Sequence, residues 1–143
     1  MLADPTAPRA AAFAAVFVAL YAAHQVADHW IQTQHQADCK GQPGWAGRLA
    51  CAAHVATYTA TAVLALVFLI AGTGLRLDPS GVAVGLGISA VTHYIADRRT
   101  PLRWIADQLR KSPAWLDKAG GMYALDQSWH VGWLFIAALF CAV

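Results

Sequence analysis

Four stretches of this sequence are apolar, and each is about as long as a lipid bilayer is thick, which leaves few folds open. They run from about Ala10 to Gln36, Trp45 to Ala71, Ser80 to Arg99 and Met122 to Val143. A helix needs about 20 residues to cross a hydrocarbon core of about 30 Å, and each stretch reaches that length. The breaks carry turn chemistry: GQPG at Gly41–Gly44, GTGLRLDPSG at Gly72–Gly81 and KAGG at Lys118–Gly121. Asp78–Pro79–Ser80 reads as the start of the third helix. The expected fold is all-α: a polytopic membrane protein with a four-transmembrane-helix bundle, in one domain covering residues 1–143.

Composition agrees. Hydrophobic residues make up 58% of the chain and charged residues 13%, against about 25% charged in a soluble domain. Every acidic residue is an aspartate. The net charge of +2 and the lack of a basic tract with interleaved aromatics argue against a nucleic-acid partner. A cleaved signal peptide is a competing reading of the first stretch. It has a poor basic start, with Asp4 set against Arg9, and cleavage would discard or strand His24.

Basic residues give an orientation. Lys40 and Arg48 follow the first stretch, and Arg98, Arg99, Arg103, Arg110, Lys111 and Lys118 follow the third; only Arg9 and Arg76 fall on the other side. The positive-inside rule makes loops 37–44 and 100–121 cytoplasmic and leaves both termini outside. Trp30, Trp45, Trp104, Trp115 and Trp129 lie near those loops, as interfacial anchors do. An interfacial helix is expected at about 101–111. Leu102, Ile105 and Leu109 recur at helical spacing there with Trp104 alongside, and Arg103, Arg110 and Lys111 supply charge. It either caps a site and attracts an anionic headgroup, or simply connects two spans.

The polar residues within the apolar stretches are costly in lipid, and they gather at one end. His24, Asp28 and Gln32 close the first helix toward the cytoplasmic side, and His54 lies two to three turns into the second. His93 and Asp97 close the third, and Asp126 and His130 open the fourth. His24/Asp28, His93/Asp97 and Asp126/His130 are all four residues apart, so each pair shares a helix face. Imidazole with carboxylate suits zinc, iron or manganese. The candidate metal ligands are His24, Asp28, His54, His93, Asp97, Asp126 and His130. Seven ligands exceed one tetrahedral ion, so one or two divalent ions, zinc or iron, are expected, with carboxylates orienting histidines. Without metal, the carboxylates are expected to be protonated or paired with nearby arginines. Haem is not expected, because the histidines come with carboxylates.

On the third stretch Gly81, Gly85, Ser89, His93 and Asp97 fall at four-residue steps, a stripe of small residues suited to close helix packing. Tyr58 and Thr61 continue inward from His54 and either line a pocket or satisfy hydrogen bonds. His29 lies on a different face from His24 and reads as a packing or interfacial residue. His35 reads as solvated, and Asp107 and Asp117 as surface charges. Cys39, Cys51 and Cys141 have no paired spacing and support no disulfide framework; Cys51, one turn before His54, is an outside candidate ligand.

HQVADHWIQT, a lone His54 in an apolar helix, THYIADR and LDQSWH together resemble the pattern of the domain of unknown function 3307 family of small bacterial integral membrane proteins. The resemblance runs from about Ala12 to Leu139 and covers His24, Asp28, Gln32, His54, His93, Asp97, Asp126, Gln127 and His130. It departs at Arg98–Arg99, where the pattern leads one to expect a lysine nearby. The resemblance implies an inner (plasma) membrane location and supports the site; it brings no established activity.

The expected function is that of a membrane-embedded, metal-dependent hydrolase on a lipid or lipid-linked substrate near the cytoplasmic leaflet. Asp28 or Asp126 would take the proton of a metal-bound water, with Gln32 or Gln127 steadying an oxyanion. Di-iron oxidative chemistry would use the same ligands. The alternatives are a transition-metal carrier or sensor, which with four helices requires a homo-oligomer, and a non-catalytic polar network that fixes helix register.

Overall fold

The computed structural model describes residues 7–142. Residues 1–6 and 143 lie outside the described residues, and with them Asp4, the two chain ends and the final residue of the fourth expected helix. The first stretch does not run straight to Gln36. Helix α1 (Ala7–Val26) widens into a π turn, Ala27–Ile31, closed by the Gln32 amide on the Ala27 carbonyl at 2.8 Å. The backbone of Gln32 and Thr33 is then extended, and helix α2 (Gln34–Cys39) begins afresh. A reciprocal cap sets that break. The Thr33 hydroxyl accepts the Gln36 amide at 3.2 Å, and the Gln36 side chain accepts the Thr33 amide at 2.9 Å. Two donors that a continuous helix would satisfy internally are met locally instead.

Helix α3 (Gly44–Thr73) stops at Gly74, whose φ of 71° is the left-handed conformation that ends helices and favours glycine. Its 30 residues span about 45 Å at about 1.5 Å per residue. Helix α4 (Pro79–Asp97) starts where the sequence places it: Asp78 caps the Gly81 amide at 2.9 Å and Pro79 fills the first turn. The Ser80 hydroxyl, and then the Gly81 amide, hold the Asp78 carboxyl below its ordinary range. The cap is therefore present at neutral pH and is lost only as pH falls through that lowered value.

Helix α5 (Thr100–Gln108) ends three residues short of the expected boundary, and Arg110 follows with a φ of 53°. Its buried face is Leu102 and Ala106, while Leu109, expected on that face, is 63% exposed. A short helix α6 (Pro113–Lys118), which the sequence did not suggest, precedes α7 (Gly121–Cys141).

The four long helices form a ring in which α1 packs on α3, α3 on α4, α4 on α7 and α7 on α1. Toward one end lies an apolar core of Val16, Leu20 and Ala23 from α1, Ala62 and Leu66 from α3, and Leu134, Ala137, Ala138 and Cys141 from α7. Directly beyond it, within one or two turns on each helix, comes a buried layer containing His24, His54, His93 and His130. The outer faces stay apolar: Phe68 is 67% exposed, Val18 64% and Val91 60%.

Among the described residues two helices, Pro8–Ile31 and Gly44–Thr73, are long and apolar enough to cross a membrane. The sequence reading extends that property to all four. In α4 and α7 the apolar runs are diluted by Ser89, Thr92, His93 and Asp97 and by Asp126, Gln127, Ser128 and His130.

The small-residue stripe of α4 does face its neighbours. A Cβ on Gly81 would lie 2.5 Å from the Phe140 carbonyl oxygen, and one on Gly85 would lie 2.4 Å from Cys141 Sγ and 2.5 Å from the Ala137 carbonyl oxygen. Gly87, on the other face, meets nothing within 4 Å. Gly85→Ala should therefore destabilise the protein by about 1–3 kcal/mol through overpacking. Gly87→Ala should be neutral or stabilising through helix propensity. Denaturant unfolding in detergent, followed by far-UV circular dichroism, distinguishes the two.

Candidate metal centre

Helical period alone carries the predicted side chains inward. His54 enters the bundle from α3, while His93 and Asp97, one turn apart, enter from α4. Their reactive atoms form a triangle: His54 Nε2 to His93 Nε2 is 3.0 Å, His93 Nε2 to Asp97 Oδ2 is 3.2 Å, and His54 Nε2 to Asp97 Oδ2 is 3.3 Å. In a tetrahedral site with metal–ligand bonds of about 2.0–2.2 Å, the ligand atoms are about 3.3–3.6 Å apart. The triangle is thus close to one face of such a tetrahedron, slightly contracted. These three residues form a group that could hold a metal ion, as do His24, Asp28 and His93, and Asp97, Asp126 and His130.

Asp28 stands beside the triangle. Its Oδ1 is 3.4 Å from His54 Nε2 and 3.6 Å from His93 Nε2, and its Oδ2 is 3.5 Å from His24 Nδ1. It sits in the π turn, a departure from regular helix that often marks functional positions. On α7, His130 Nε2 is 3.5 Å from Asp126 Oδ1, and the His130 ring lies 4.1 Å from that of His93. Gln127 ties α7 to α1: its amide nitrogen lies 3.3 Å from Asp126 Oδ2, and its carbonyl oxygen 3.3 Å from His24 Nε2. Tyr58 packs on the His93 ring at 3.9 Å and hydrogen-bonds Ser89 at 2.7 Å.

All seven predicted ligands therefore meet in one layer, and Tyr58 and Gln127 border it. The Gln32 amide nitrogen is buried and unpartnered. The other buried side-chain atoms lacking a hydrogen-bond partner, among the described residues, are His24 Nδ1, Asp28 Oδ1, His54 Nδ1, His93 Nδ1, Asp97 Oδ2 and His130 Nε2. Every one belongs to this layer. Buried polar atoms are almost always paired, and these lie on residues that could together hold a metal ion.

The residue that sequence reasoning missed is Lys40. It is buried, and its Nζ lies 2.7 Å from Asp97 Oδ1, which leaves Oδ2 directed at the two imidazoles. The expected arginine partners do something else. Arg98 donates to the Lys40 and Gln42 carbonyls at 2.6 and 2.7 Å, and Arg99 to the Ala37 carbonyl at 3.3 Å. Both arginines hold the segment that delivers Lys40. Arg99 does so with a φ of 58°, a conformation unfavourable for a side chain of its size. Gln36 in α2 and Lys40 at its C-cap, four residues apart, are the buried polar residues of this segment.

The remaining residues follow their simpler readings. His29 is exposed and hydrogen-bonds Tyr123 of α7 at 3.1 Å, a packing contact, and His35 is exposed. The Thr61 hydroxyl donates to Thr57 O within its own helix. Asp107 and Asp117 pair with Arg103 at the surface. Cys51 faces the Tyr94 carbonyl at 3.7 Å and belongs to none of the metal-capable groups.

Fold and site together define an all-α protein with membrane-length apolar helices and a buried His/Asp centre that could hold a metal ion. Over residues 16–143 the chain matches the family described as protein of unknown function (DUF3307), and it belongs to that family. No curated protein and no solved structure matches it.

Lys40→Met would leave Asp97 as an uncompensated buried charge, a change that costs about 3–5 kcal/mol. Lys40→Met combined with Asp97→Asn should recover part of that loss. Unfolding midpoints of wild type, single and double variants in the same detergent provide the check.

Proposed function

We propose that this protein is a membrane-embedded metal-dependent hydrolase of four spans, acting on a lipid or lipid-linked substrate. The observation that carries the reading is the triangle of His54, His93 and Asp97, three ligands on one side of an ion position with Asp28 beside it. Structural metal sites are closed by four protein ligands, whereas catalytic ones keep three and leave a position for water. The donor set is two imidazoles and a carboxylate, without thiolate, which suits zinc, iron or manganese. When bound, the ion supplies Lewis acidity and lowers the pKa of a coordinated water.

The chain's own residues do the rest. Asp28 Oδ1, 3.4 Å from His54 Nε2 and 3.6 Å from His93 Nε2, would accept the proton of a water held by the ion. Asp28 is favoured over Asp126 as base because its Oδ1 lies beside the nitrogens of His54 and His93, whereas the carboxylate of Asp126 faces Gln127 and His130 of its own helix. Lys40 fixes the orientation of Asp97, the second-shell role that metal-ligating carboxylates commonly need. Asp126, with a quarter of its side chain exposed, marks where the layer approaches the surface.

Membrane embedding is supported by the two membrane-length helices and by apolar outer faces on α4 and α7 as well, including Val84, Val91, Phe135, Leu139 and Phe140. Such a surface would be an aggregation liability in water. Trp30, Trp45 and Trp104 are strongly exposed near the polar end, where an interfacial belt would lie. The cytoplasmic assignment of loops 37–44 and 100–121 follows from their basic residues, and reporter fusions after Lys118 and Arg76 should report inside and outside respectively.

Elemental analysis of detergent-purified protein is the primary test. Wild type should retain about one equivalent of metal, in keeping with a three-ligand site, and His93→Ala and Asp97→Asn should lose it. Near-zero metal in all three would overturn the reading. Asp28→Asn should keep the ion while lowering hydrolysis of lipid esters by about 10²–10⁴-fold, the usual contribution of a general base.

A further inference from the structure

The triangle of His54, His93 and Asp97 is sealed. All three side chains are buried, so an ion that comes to rest there must first pass between other side chains. Among the seven ligands Asp126 stands apart: a quarter of its side chain is exposed, against at most 8% for any other. It lies in the second turn of α7, at the polar end of the bundle.

Asp126 has partners on the way in. With Asp97 and His130 it makes one of the groups whose ligand atoms lie within 4.8 Å of one another. His130 is buried, and its Nε2, 3.5 Å from Asp126 Oδ1, has no hydrogen-bond partner. An unpaired buried nitrogen is uncommon, and this one is aimed at the one carboxylate that reaches the surface.

This outer group and the triangle overlap at Asp97. An ion held by Asp97, Asp126 and His130 would reach the triangle by exchanging Asp126 and His130 for His54 and His93, bonded to Asp97 throughout. The His130 and His93 rings lie 4.1 Å apart, so the imidazole given up and one of those gained are neighbours. Lys40, 2.7 Å from Asp97 Oδ1, holds the shared carboxylate still for both positions. Without a shared ligand, the same step would leave a divalent charge uncompensated among apolar helices, where it is costly. The remaining group, His24, Asp28 and His93, also overlaps the triangle, at His93, but none of its members is more than 8% exposed. It offers no way in.

We propose that Asp126 and His130, together with Asp97, form an entry site: a second, transient position for the same metal ion, through which it is loaded into the triangle and released from it. The proposal rests on the one-ion reading above. It gives the two α7 residues to the passage of the ion and leaves the resident ion to His54, His93 and Asp97.

The test is Co²⁺ loading of chelator-stripped, full-length protein in detergent, followed by stopped-flow visible absorption, with release measured on adding excess EDTA. Wild type should bind about one Co²⁺, in keeping with a three-ligand site. Asp126→Asn and His130→Gln should reach the same stoichiometry and the same final spectrum. They should load at least about 10-fold more slowly, the scale on which a charged cleft speeds the arrival of counter-ions. Release should slow by the same factor and leave Kd unchanged, which neither a lost ligand nor a loosened fold would do. Asp126→Glu, which restores the carboxylate, should recover most of the rate, and Ser128→Ala, at an exposed position of the same helix, should load as wild type does. Each variant is checked for wild-type helicity by far-UV circular dichroism, and either Asp126→Asn or His130→Gln alone decides between the outcomes. Wild-type loading and release in them overturns the entry site and leaves the one-ion reading standing. A lost ion or a changed final spectrum in them also overturns it, by placing Asp126 and His130 among the resident ion's ligands. No Co²⁺ bound by wild type overturns both readings.

Discussion

The carboxylate of Asp97 is where the demands of the fold meet. One of its oxygens is held by Lys40 at 2.7 Å, and the other lies within 3.3 Å of two histidine nitrogens. Removing a carboxylate from water costs several kcal/mol even after relaxation, so a bundle that buries it must supply a cation from within. Lys40 is that cation, and much of the polar end exists to deliver it. The chain breaks at Gln32–Thr33 and folds into α2, and Arg98 and Arg99, directly after Asp97, clasp the carbonyls on either side of Lys40. A two-residue arginine clamp, a six-residue helix and a π turn thus serve one ion pair.

The apolar end places the site as firmly as the polar end does. Gly81 and Gly85 let α4 approach α7 so closely that a single methyl group would strike backbone oxygen. That contact fixes the register of α4 against α7 and sets His93 over the His130 ring at 4.1 Å. The Trp129 indole, donating to the Thr92 carbonyl at 3.0 Å, joins the same two helices at the residues next to His130 and His93. The positions of side chains in the centre are therefore set by rigid helix packing, which holds functional groups more tightly than loops can.

What could be read from the sequence was what helical period alone determines. Spacings of four residues put His24 with Asp28, His93 with Asp97 and Asp126 with His130, and apolar helices running alternately up and down brought those pairs to one end. The glycine stripe, the Asp78 cap and the gathering of all seven titratable residues needed nothing more. The break after Ile31 is easily passed over, because QTQHQ contains no proline or glycine, although Thr33 and Gln36 have the capping-box spacing that marks a helix start. Missing that break hid Lys40, which a straight helix and loop would have left in solvent. Arg98 and Arg99 were misread for a related reason: their partners are backbone carbonyls 56 to 62 residues away, and carbonyls leave no trace in sequence.

The chemistry of the donors narrows what the layer can be. A polar network that only fixed helix register would satisfy its members with hydrogen bonds, as Tyr58 and Ser89 do at 2.7 Å. Here the His54 and His93 Nε2 atoms lie 3.0 Å from each other. Four of the unpartnered atoms, His24 Nδ1, Asp28 Oδ1, Asp97 Oδ2 and His130 Nε2, face a nitrogen or carboxylate oxygen at 3.2–3.6 Å. Such separations are long for charge-assisted hydrogen bonds, which fall at about 2.7–2.9 Å. They match the spacing of atoms that share an ion. Cys51 is buried nearby yet directs its sulfur to a backbone carbonyl, so the soft ligand within reach is turned aside and the centre is left with nitrogen and oxygen donors. A ring of helices that gathers buried imidazoles and carboxylates, with its nearby thiol turned to a carbonyl, offers nitrogen and oxygen donors that could hold a metal ion.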